Sequence, residues 1–380
     1  MELKEYRREI DEIDGQLVEL LKRRLGISAE IGKYKAANRL PIYDPERERE
    51  KLGELARLAG DDCAILTDAI YPLIFDISRS AQHRVTAGPS PIREMIAAAL
   101  ESTPAQLPER PLVACQGVEG AYSQLACERI FSHPGIMYFK TFEAVFSAVE
   151  HGLCQYGVLP LENSTAGSVN RIYDLMIQHD FYISRSCRVK VDHCLLANPG
   201  VELGDVREIF SHEQAISQCS DFLKKLGDVK VTACENTAAA AKYIFESGRR
   251  DAAALSSQSC ADIYSLNCIE RSVQNNEGNF TRFICISKNL NIYPGANRTS
   301  LMMVLPNHRG SLYRVLSRFT ALGINLIKLE SRPLPNSDFE FMFYFDLDAS
   351  VYSDEFLRVF DDLETAVARI KYLGSYSEVV

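Results

Sequence analysis

The hydrophobic pattern is clearest at the start of the chain. Between residues 4 and 36, Tyr6, Ile13, Leu20, Ile27 and Tyr34 fall on one heptad position, and Leu3, Ile10, Leu17, Arg24 and Ile31 fall on another. An a/d seam with charged flanks, sustained for about four heptads, predicts one long amphipathic helix. Arg24 stands where the seam calls for Ile or Leu. A charge in an apolar stripe is costly unless it is paired, so Arg24 is either a register device or a ligand clamp. A rod from Lys4 to Ala36 is roughly 50 Å long at ~1.5 Å per residue. The helical region ends near Arg84, and so small a head cannot cover such a rod, so a partner chain is expected on the seam.

Asn38 to Pro45 holds two prolines and an Asp, which predicts a turn with Asp44 as N-cap and Pro45 at the first helical position. A second helix follows over 45–59, opening on the charged run Glu46-Arg47-Glu48-Arg49-Glu50, which on its own reads as a solvated face. A third runs from Ala64 to Gln82 with Leu66, Ile70, Leu73, Ile74, Ile77 and Ala81 as its stripe, and Pro72 is expected to kink it or mark its effective start. Prolines at 89, 91, 104, 108 and 111 then mark a linker over 85–110, with a short helical piece near 92–101.

Beyond residue 111 the pattern becomes strand, loop, helix. Pro111–Cys115 leads into Gln116–Ser123, Tyr156–Pro160 into Leu161–Ser168, and Val206–Phe210 into Ser211-His212-Glu213-Gln214. Each strand ends in small or hydroxyl-bearing residues at a helix N-terminus, a turn that binds anions through free N–H groups and the helix dipole. Such turns are also ordinary caps. Three in one body, expected at one sheet edge, point to a carboxylate-rich substrate. A Gly/Asn loop, Asn275 to Asn279, then feeds a strand opening Phe280-Thr281-Arg282-Phe283. In the tail, strands at 300–305, 325–331 and 340–347, helices at 310–322 (stopping at Gly323) and 353–369, and a final strand compose βαββαβ, a ferredoxin-like unit.

Composition narrows the function classes. The 380 residues allow two to four domains, and a net charge of -9 argues against a mainly nucleic-acid or membrane-surface role. The opening residues carry no apolar signal core, and no run of eighteen apolar residues occurs, so a cytoplasmic protein with no membrane partner is expected. Eleven scattered cysteines with no Cys-x-x-Cys suggest reduced thiols, mostly small core side chains, and no metal site. Gly-x-Gly-x-x-Gly and phosphate-loop motifs are absent, so no cofactor is expected.

The candidate chemistry falls in three places. In the head, Arg24 and Lys35 are eleven residues apart, near one face and roughly 16 Å apart at their backbones, so long side chains can converge on a small dianion. Arg7 lies seventeen residues from Arg24, roughly 25 Å along the axis and on another face, so it would serve a partner's site if it serves any. Arg7, Arg24, Lys35, Asp44, Arg47, Glu48, Ser78 and Gln82 together resemble the all-helical chorismate mutases. That resemblance implies an intertwined dimer in which Arg7 crosses to the other subunit. It also implies that Arg7, Arg24 and Arg47 clamp the carboxylates of chorismate, that Lys35 and Gln82 donate to the breaking ether oxygen, that Glu48 accepts from the ring hydroxyl, and that Asp44 and Ser78 position substrate or neighbours.

Over 111–288, the Glu162-Asn163-Ser164-Thr165 stretch, the Ser211-His212 stretch through Gln214 and Gln218, and Thr281-Arg282-Phe283 resemble prephenate dehydratase. The family implies two α/β lobes like a periplasmic-binding fold with prephenate between them. Thr281 would be the essential hydroxyl, a positioned donor rather than a tuned acid, with Asn163, Ser164, Thr165, Ser211, Gln214, Gln218 and Arg282 around the substrate. His212 is the titratable residue nearest in sequence, and a lone His there also reads as a cap. Over 298–380, Gly310-Ser311-Leu312 and Glu330-Ser331-Arg332-Pro333 resemble the ACT regulatory domain of phenylalanine-sensing proteins, with Ser311 where the family usually has Ala. Such domains pair across subunits and bind L-phenylalanine at the interface, so a homo-oligomer is expected; the bland alternative is a dimerisation module without a ligand. The alternatives are a lone dehydratase whose head is a dimerisation rod, and a transcription regulator with a helical head. Arg24 speaks against the first, and the acidic chain with one long rod in place of a helix-turn-helix speaks against the second.

Overall fold

The computed structural model describes residues 2–379 apart from 61, 87, 308–309, 335–339 and 364–366; the side chains of residues 64 and 66 also lie outside the description, and with the latter Leu66 of the expected stripe. The head is three helices: α1 (Leu3–Ala37), α2 (Pro45–Ala59) and α3 (Ala64–Arg84). α2 starts as its sequence dictates, with Pro45 in its first turn and the Asp44 carboxylate accepting from the Arg47 amide at 3.0 Å. α3 runs through Pro72, so the proline is not its start; it removes one i→i−4 bond from a helix that packing holds on both sides.

α1 buries only Ser28 and Gly32. A Cβ on Gly32 would lie 2.8 Å from the backbone Cα and carbonyl oxygen of Gln82 on α3, so glycine lets the two helices meet. The seam itself stays open within the chain, its apolar residues between 43% (Ile31) and 65% (Leu3, Tyr34) exposed. The stretch expected as a linker carries a packed helix, α4 (Pro91–Ser102), capped by Ser90 and burying Ile92, Ile96 and Ala99 in the core of the C-terminal unit.

The body holds two sheets. Along the chain come β1 (Leu112–Gln116), α5 (Tyr122–Ile130), β2 (Gly135–Phe139), α6 (Phe142–Glu150), β3 (Tyr156–Asn163), β4 (Gly167–Ser168), α7 (Asn170–Gln178) and β5 (Tyr182–Lys190). The chain then builds a second lobe from β6 (Cys194–Ala197), β7 (Glu208–Ser211), α8 (Glu213–Gln218), α9 (Ser220–Lys225), β8 (Lys230–Ala233), α10 (Thr237–Ser247), β9 (Ala252–Ser256), α11 (Gln258–Tyr264) and β10 (Asn267–Glu270). It returns as β11 (Phe280–Ser287) between β5 and β3, antiparallel to both. The second sheet has the order β10-β6-β9-β7-β8. The three helix-opening turns therefore do not share one sheet edge: those after β1 and β3 belong to the first sheet, that after β7 to the second, and they meet across a cleft. Eight of the eleven cysteines are buried core side chains.

The C-terminal unit comprises β12 (Arg298–Val304), α12 (Ser311–Ala321), β13 (Asn325–Pro333), β14 (Phe341–Asp348), α13 (Asp354–Leu363) and β15 (Arg369–Tyr376), with sheet order β13-β14-β12-β15, every pair antiparallel. α13 is shorter than expected, because β15 already begins at Arg369. Met302, Tyr344 and Tyr376 of this unit share a core with Leu159, Leu161 and Ile284 of the first lobe. Beyond β15 the chain leaves its own sheet, and β16 (Glu378–Val379) pairs parallel with β5, completing the order β16-β5-β11-β3-β1-β2. Gly374, at φ +134°, lets β15 approach the Ile183 carbonyl of β5, where any Cβ would collide. No helix among the described residues is long and apolar enough to cross a membrane.

Candidate active sites

In the head, Gly32 brings α3 close enough that residues on its inward face meet α1. The Arg24 guanidinium leaves the exposed seam and donates to Ser78 Oγ, and to the Ile74 carbonyl at 3.4 Å. It also lies 5.7 Å from the centre of the Phe75 ring. Burial weakens its hold on the proton, and Tyr71 nearby partly offsets that. Gln82, one turn beyond Ser78, is buried, and its Oε1 has no hydrogen-bond partner among the described residues. A buried acceptor without a partner, one turn along α3 from the Arg24–Ser78 contact, is a polar group that calls for an explanation.

Lys35 donates to the Ile42 carbonyl at 2.7 Å, where the chain turns towards α2. Glu48 pairs with Arg79 of α3, which also binds Asp76 at 2.9 Å and lies 5.2 Å from the centre of the Tyr43 ring. Arg24, Ser78 and Gln82 thus gather, with Glu48 held through Arg79. Arg47 is exposed and pairs with Glu50 at 2.6 Å, Asp44 is engaged as a cap, and Arg7 is exposed on the far stretch of α1. Neither Arg79 nor Gly32 was expected from the sequence.

In the body, a cleft of about 580 Å³ lies between the two sheets, lined by Asn163, Thr281, Gln214 and Gln218 among others. That volume suits one small ligand. Asn163 is the organiser. Its Nδ2 donates to Asn279 Oδ1 at 2.7 Å and to Thr281 Oγ1 at 3.0 Å, while its Oδ1 accepts from the amides of Thr165 (3.0 Å) and Ala166 (2.8 Å). Thr281 lines the cleft, and with an oxygen lone pair engaged by Asn163 its hydroxyl keeps a proton to donate. The N-termini of α5, α7, α8 and α10 all reach this cleft. α8 and α10 are capped by His212 and Asn236, whereas α5 and α7 carry no side-chain cap. Uncapped N–H groups at converging positive helix ends bind anions without a lysine or arginine.

His193, a lone histidine at the mouth of β6, was not expected from the sequence. It lines the cleft, 2% exposed, with Nε2 3.1 Å from Gln218 Oε1 and its amide held by Gln274 at 2.8 Å. Burial pulls its pKa below the usual value of 6.5, against the opposing effects of Gln218 and Asp192. His212 also reaches the cleft, capping α8 by accepting from the Gln214 amide at 3.3 Å.

Four expected substrate contacts fall elsewhere. Successive strand side chains alternate faces, so with Thr281 in the cleft Arg282 points away from it. Arg282 is 4% exposed and pairs with Asp346, with Glu378 at 3.2 Å and with Glu162 at 3.4 Å, which ties the body to the C-terminal unit. Burial alone would lower its pKa, but Tyr376 and Asp346 more than reverse that. Ser211 is fully buried and donates to the Leu255 carbonyl at 2.7 Å. Ser164 braces the Asn-rich loop through the Gly278 carbonyl at 3.0 Å and the Phe280 amide at 2.9 Å. Thr165 is exposed and offers Asn163 only its amide.

In the C-terminal unit, Gly310 caps α12 in the left-handed region, Ser311 is buried and accepts from Arg314 at 3.2 Å, and Leu312 packs on the core. Glu330 and Arg332 face the first lobe instead. Glu330 accepts from Ser168 at 2.6 Å, and Arg332 makes a bidentate pair with Asp174 at 2.8 and 3.1 Å. Ser331, between them, is exposed.

A helical head with an inward cation is joined to a two-lobed α/β body around a threonine-lined cleft, and two family models divide the chain at the same place. The family model of chorismate mutase type II matches residues 6–83, and that of prephenate dehydratase matches residues 113–291. Over 382 aligned residues the chain is 32% identical to the bifunctional chorismate mutase/prephenate dehydratase of Aquifex aeolicus, covering 100% of this chain and 99% of that protein. It is 39% identical over 279 residues to the arogenate dehydratase/prephenate dehydratase 2 of Arabidopsis thaliana, covering 70% of this chain and 73% of that protein. The crystal structure of prephenate dehydratase in complex with L-Phe from Arthrobacter aurescens superposes with a TM-score of 0.64 at 26% identity, over 70% of this chain and 89% of that one. The chain belongs to the bifunctional chorismate mutase/prephenate dehydratases, enzymes of aromatic amino acid biosynthesis.

Proposed function

We propose that the head rearranges chorismate in the pocket where Arg24, Ser78 and Gln82 meet, and that the cleft around Thr281 converts prephenate to phenylpyruvate. The rearrangement is pericyclic and moves no proton. The protein must hold the folded conformer and stabilise charge developing on the breaking ether oxygen. Arg24 grips a carboxylate, the Gln82 amide and Lys35 donate to the ether oxygen, and Glu48 accepts from the ring hydroxyl. Arg47 and Arg7 complete the clamp, Arg7 from a second copy. The exposed seam of α1 supports that copy, because its apolar residues have no cover among the described residues.

In the cleft, prephenate loses its ring hydroxyl, which takes up one proton from solvent and leaves as water, and its ring carboxylate as carbon dioxide, driven by aromatisation. Thr281 donates a hydrogen bond to the departing hydroxyl, oriented by Asn163. The free N–H groups at α5 and α7 hold the carboxylates, and Gln218, braced by neutral His193, donates from the second lobe. The two lobes close on the substrate in the manner of a periplasmic-binding fold, and the loop at 275–280 stitches them together: Asn275 bonds Ser220 at 3.0 Å and Gly278 bonds Ser164. The C-terminal unit is an ACT domain that binds L-phenylalanine around Gly310–Leu312 and Glu330–Arg332 at a subunit interface and lowers turnover.

The observation that carries this reading is Arg24, drawn from an open apolar seam onto Ser78 of α3. Purified protein supplied with chorismate, then prephenate, with and without phenylalanine, yields phenylpyruvate from both substrates, and less with phenylalanine. Arg24→Ala or Lys35→Ala abolishes turnover of chorismate and spares that of prephenate. Persistence of both activities in those variants would overturn the site assignment.

A further inference from the structure

Arg79, which holds Glu48, belongs to a longer chain of charges. Asp76 binds Arg79 through one carboxylate oxygen at 2.9 Å and Arg318 through the other at 2.6 Å. Arg318 sits on α12, in the C-terminal unit. The sequence Glu48–Arg79–Asp76–Arg318 alternates in sign, and side-chain exposure along it is 26%, 15%, 9% and 12%. Screening by solvent is weak at such burial, so moving one charge moves its neighbour's best position. Glu48 has no other ion pair among the described residues, whereas Arg79 is fixed on three sides by Glu48, Asp76 and the Tyr43 ring.

α12 spans two features. Its first turn holds Gly310, Ser311 and Leu312, and Arg318 follows Ser311 by seven residues, two turns along the same face. A cavity of about 460 Å³ lies between α3, α12 and α13, with Asp76 and Arg318 in its wall, so α12 is not packed solidly against α3 there. A tilt of α12 by a fraction of an ångström at Arg318 is then carried by Asp76 and Arg79 to the Glu48 carboxylate.

We propose that Arg318 is a positioning residue of the mutase pocket: acting through Asp76 and Arg79 it sets the Glu48 carboxylate, so that the state of α12 is read out in chorismate turnover. The proposal rests on the reading of the α12 N-terminus as a phenylalanine site and of Glu48 as the group that receives the ring hydroxyl. It places sensing and rearrangement in mechanical contact within one chain, along a path that bypasses the dehydratase cleft.

The test uses the full chain with Arg318→Gln, Arg318→Lys and Asp76→Asn. Chorismate and prephenate turnover are measured separately, with and without L-phenylalanine, and phenylalanine binding is followed by calorimetry. Arg318→Gln is expected to lower kcat/KM for chorismate about tenfold, mainly through KM, as a misplaced hydrogen-bond acceptor would. Its prephenate turnover stays near that of the parent, and phenylalanine still binds and still inhibits that reaction but no longer alters mutase turnover. Arg318→Lys, which keeps the charge, restores most of the mutase activity. Parent-like chorismate kinetics and a parent-like phenylalanine response in Arg318→Gln overturn the proposal. If Arg318→Gln loses both activities through misfolding, Asp76→Asn decides in its place, and parent-like mutase kinetics there overturn the proposal equally. If calorimetry shows no phenylalanine binding to the parent, the reading of the α12 N-terminus falls, and the KM for chorismate in Arg318→Gln alone decides whether the ionic chain acts.

Discussion

Replacing Gly32 with alanine is the sharpest available probe of the head. The added methyl would sit 2.8 Å from two backbone atoms of Gln82, and neither belongs to a flexible side chain that can swing away. Carbon atoms in contact prefer roughly 3.5–4.0 Å, so α1 and α3 must part by about 1 Å. Overpacking of this kind costs about 1–3 kcal/mol, while alanine in a helix interior returns about 1 kcal/mol relative to glycine. Net stability therefore falls by at most about 2 kcal/mol, and the chain stays folded. Activity suffers more. The parting occurs at Gln82 and separates Arg24 from Ser78, and a misplacement of about 1 Å at a reacting centre costs up to about a hundredfold in rate. Loss of chorismate and formation of phenylpyruvate from prephenate, measured on one preparation, read both sites at once. The expected result is a ten- to hundredfold loss of mutase turnover with dehydratase turnover unchanged. Gly53→Ala is the control: it lies on α2 with no atom within 4 Å of the added Cβ, and it should leave both activities alone. Mutase turnover in Gly32→Ala within about twofold of the parent would refute the reasoning, because the close approach would then not position the pocket.

Three further outcomes are expected. Thr281→Val, which keeps shape and removes the hydroxyl, should reduce prephenate turnover by about 10²–10³ and leave chorismate turnover intact; comparable activity with prephenate would remove Thr281 from the chemistry. Arg282→Met strands the buried carboxylate of Asp346, while Glu378 keeps Arg188 and Arg298; the loss of about 3–5 kcal/mol should appear as an earlier first transition in thermal or urea unfolding, and an unmoved transition would contradict the buried network. His193 supplies a pH signature: its folded-state pKa is depressed by burial, so its contribution to stability is complete above the unfolded value of 6.5 and is lost as pH falls through that value towards the folded one. Urea midpoints should drop between about pH 7.5 and pH 5.5 and drop less in His193→Asn; equal drops would show that the buried imidazole is not the group titrating.

Heptad spacing marks out α1 and singles out Arg24, because a charge in a seam is visible in one dimension. The Asp44 cap and Pro45 are equally local, and both stand where the turn chemistry puts them. Gly32 was not legible, since nothing in a helical heptad says which glycine faces a neighbour. Arg79 was hidden for a similar reason: its partner Glu48 lies in a charged run that reads as solvated until α2 packs on α3. Arg282 illustrates an avoidable error. The period-two rule alone puts it opposite Thr281, but the motif that carries both invites treating them as one site. His193 required knowledge of which strand ends border the cleft, and that depends on the chain crossing to a second sheet and returning at β11. The engagement of Glu330 and Arg332 with Ser168 and Asp174 was likewise a matter of docking between units.

The last strand, β16, makes the chain less modular than its order suggests. The residues that complete the edge of the dehydratase sheet lie some ninety positions after β11, on the far side of an entire βαββαβ unit. Excising residues 111–288 as a minimal catalyst would bare the edge of β5, a template for unwanted strand pairing, and would leave Arg282 without Asp346 or Glu378. A swapped-in C-terminal unit would have to bring its own edge strand and its own carboxylates. Gene fusions that treat this segment as a detachable cassette should therefore yield aggregates, while those that carry the chain through Val379 should yield soluble enzyme.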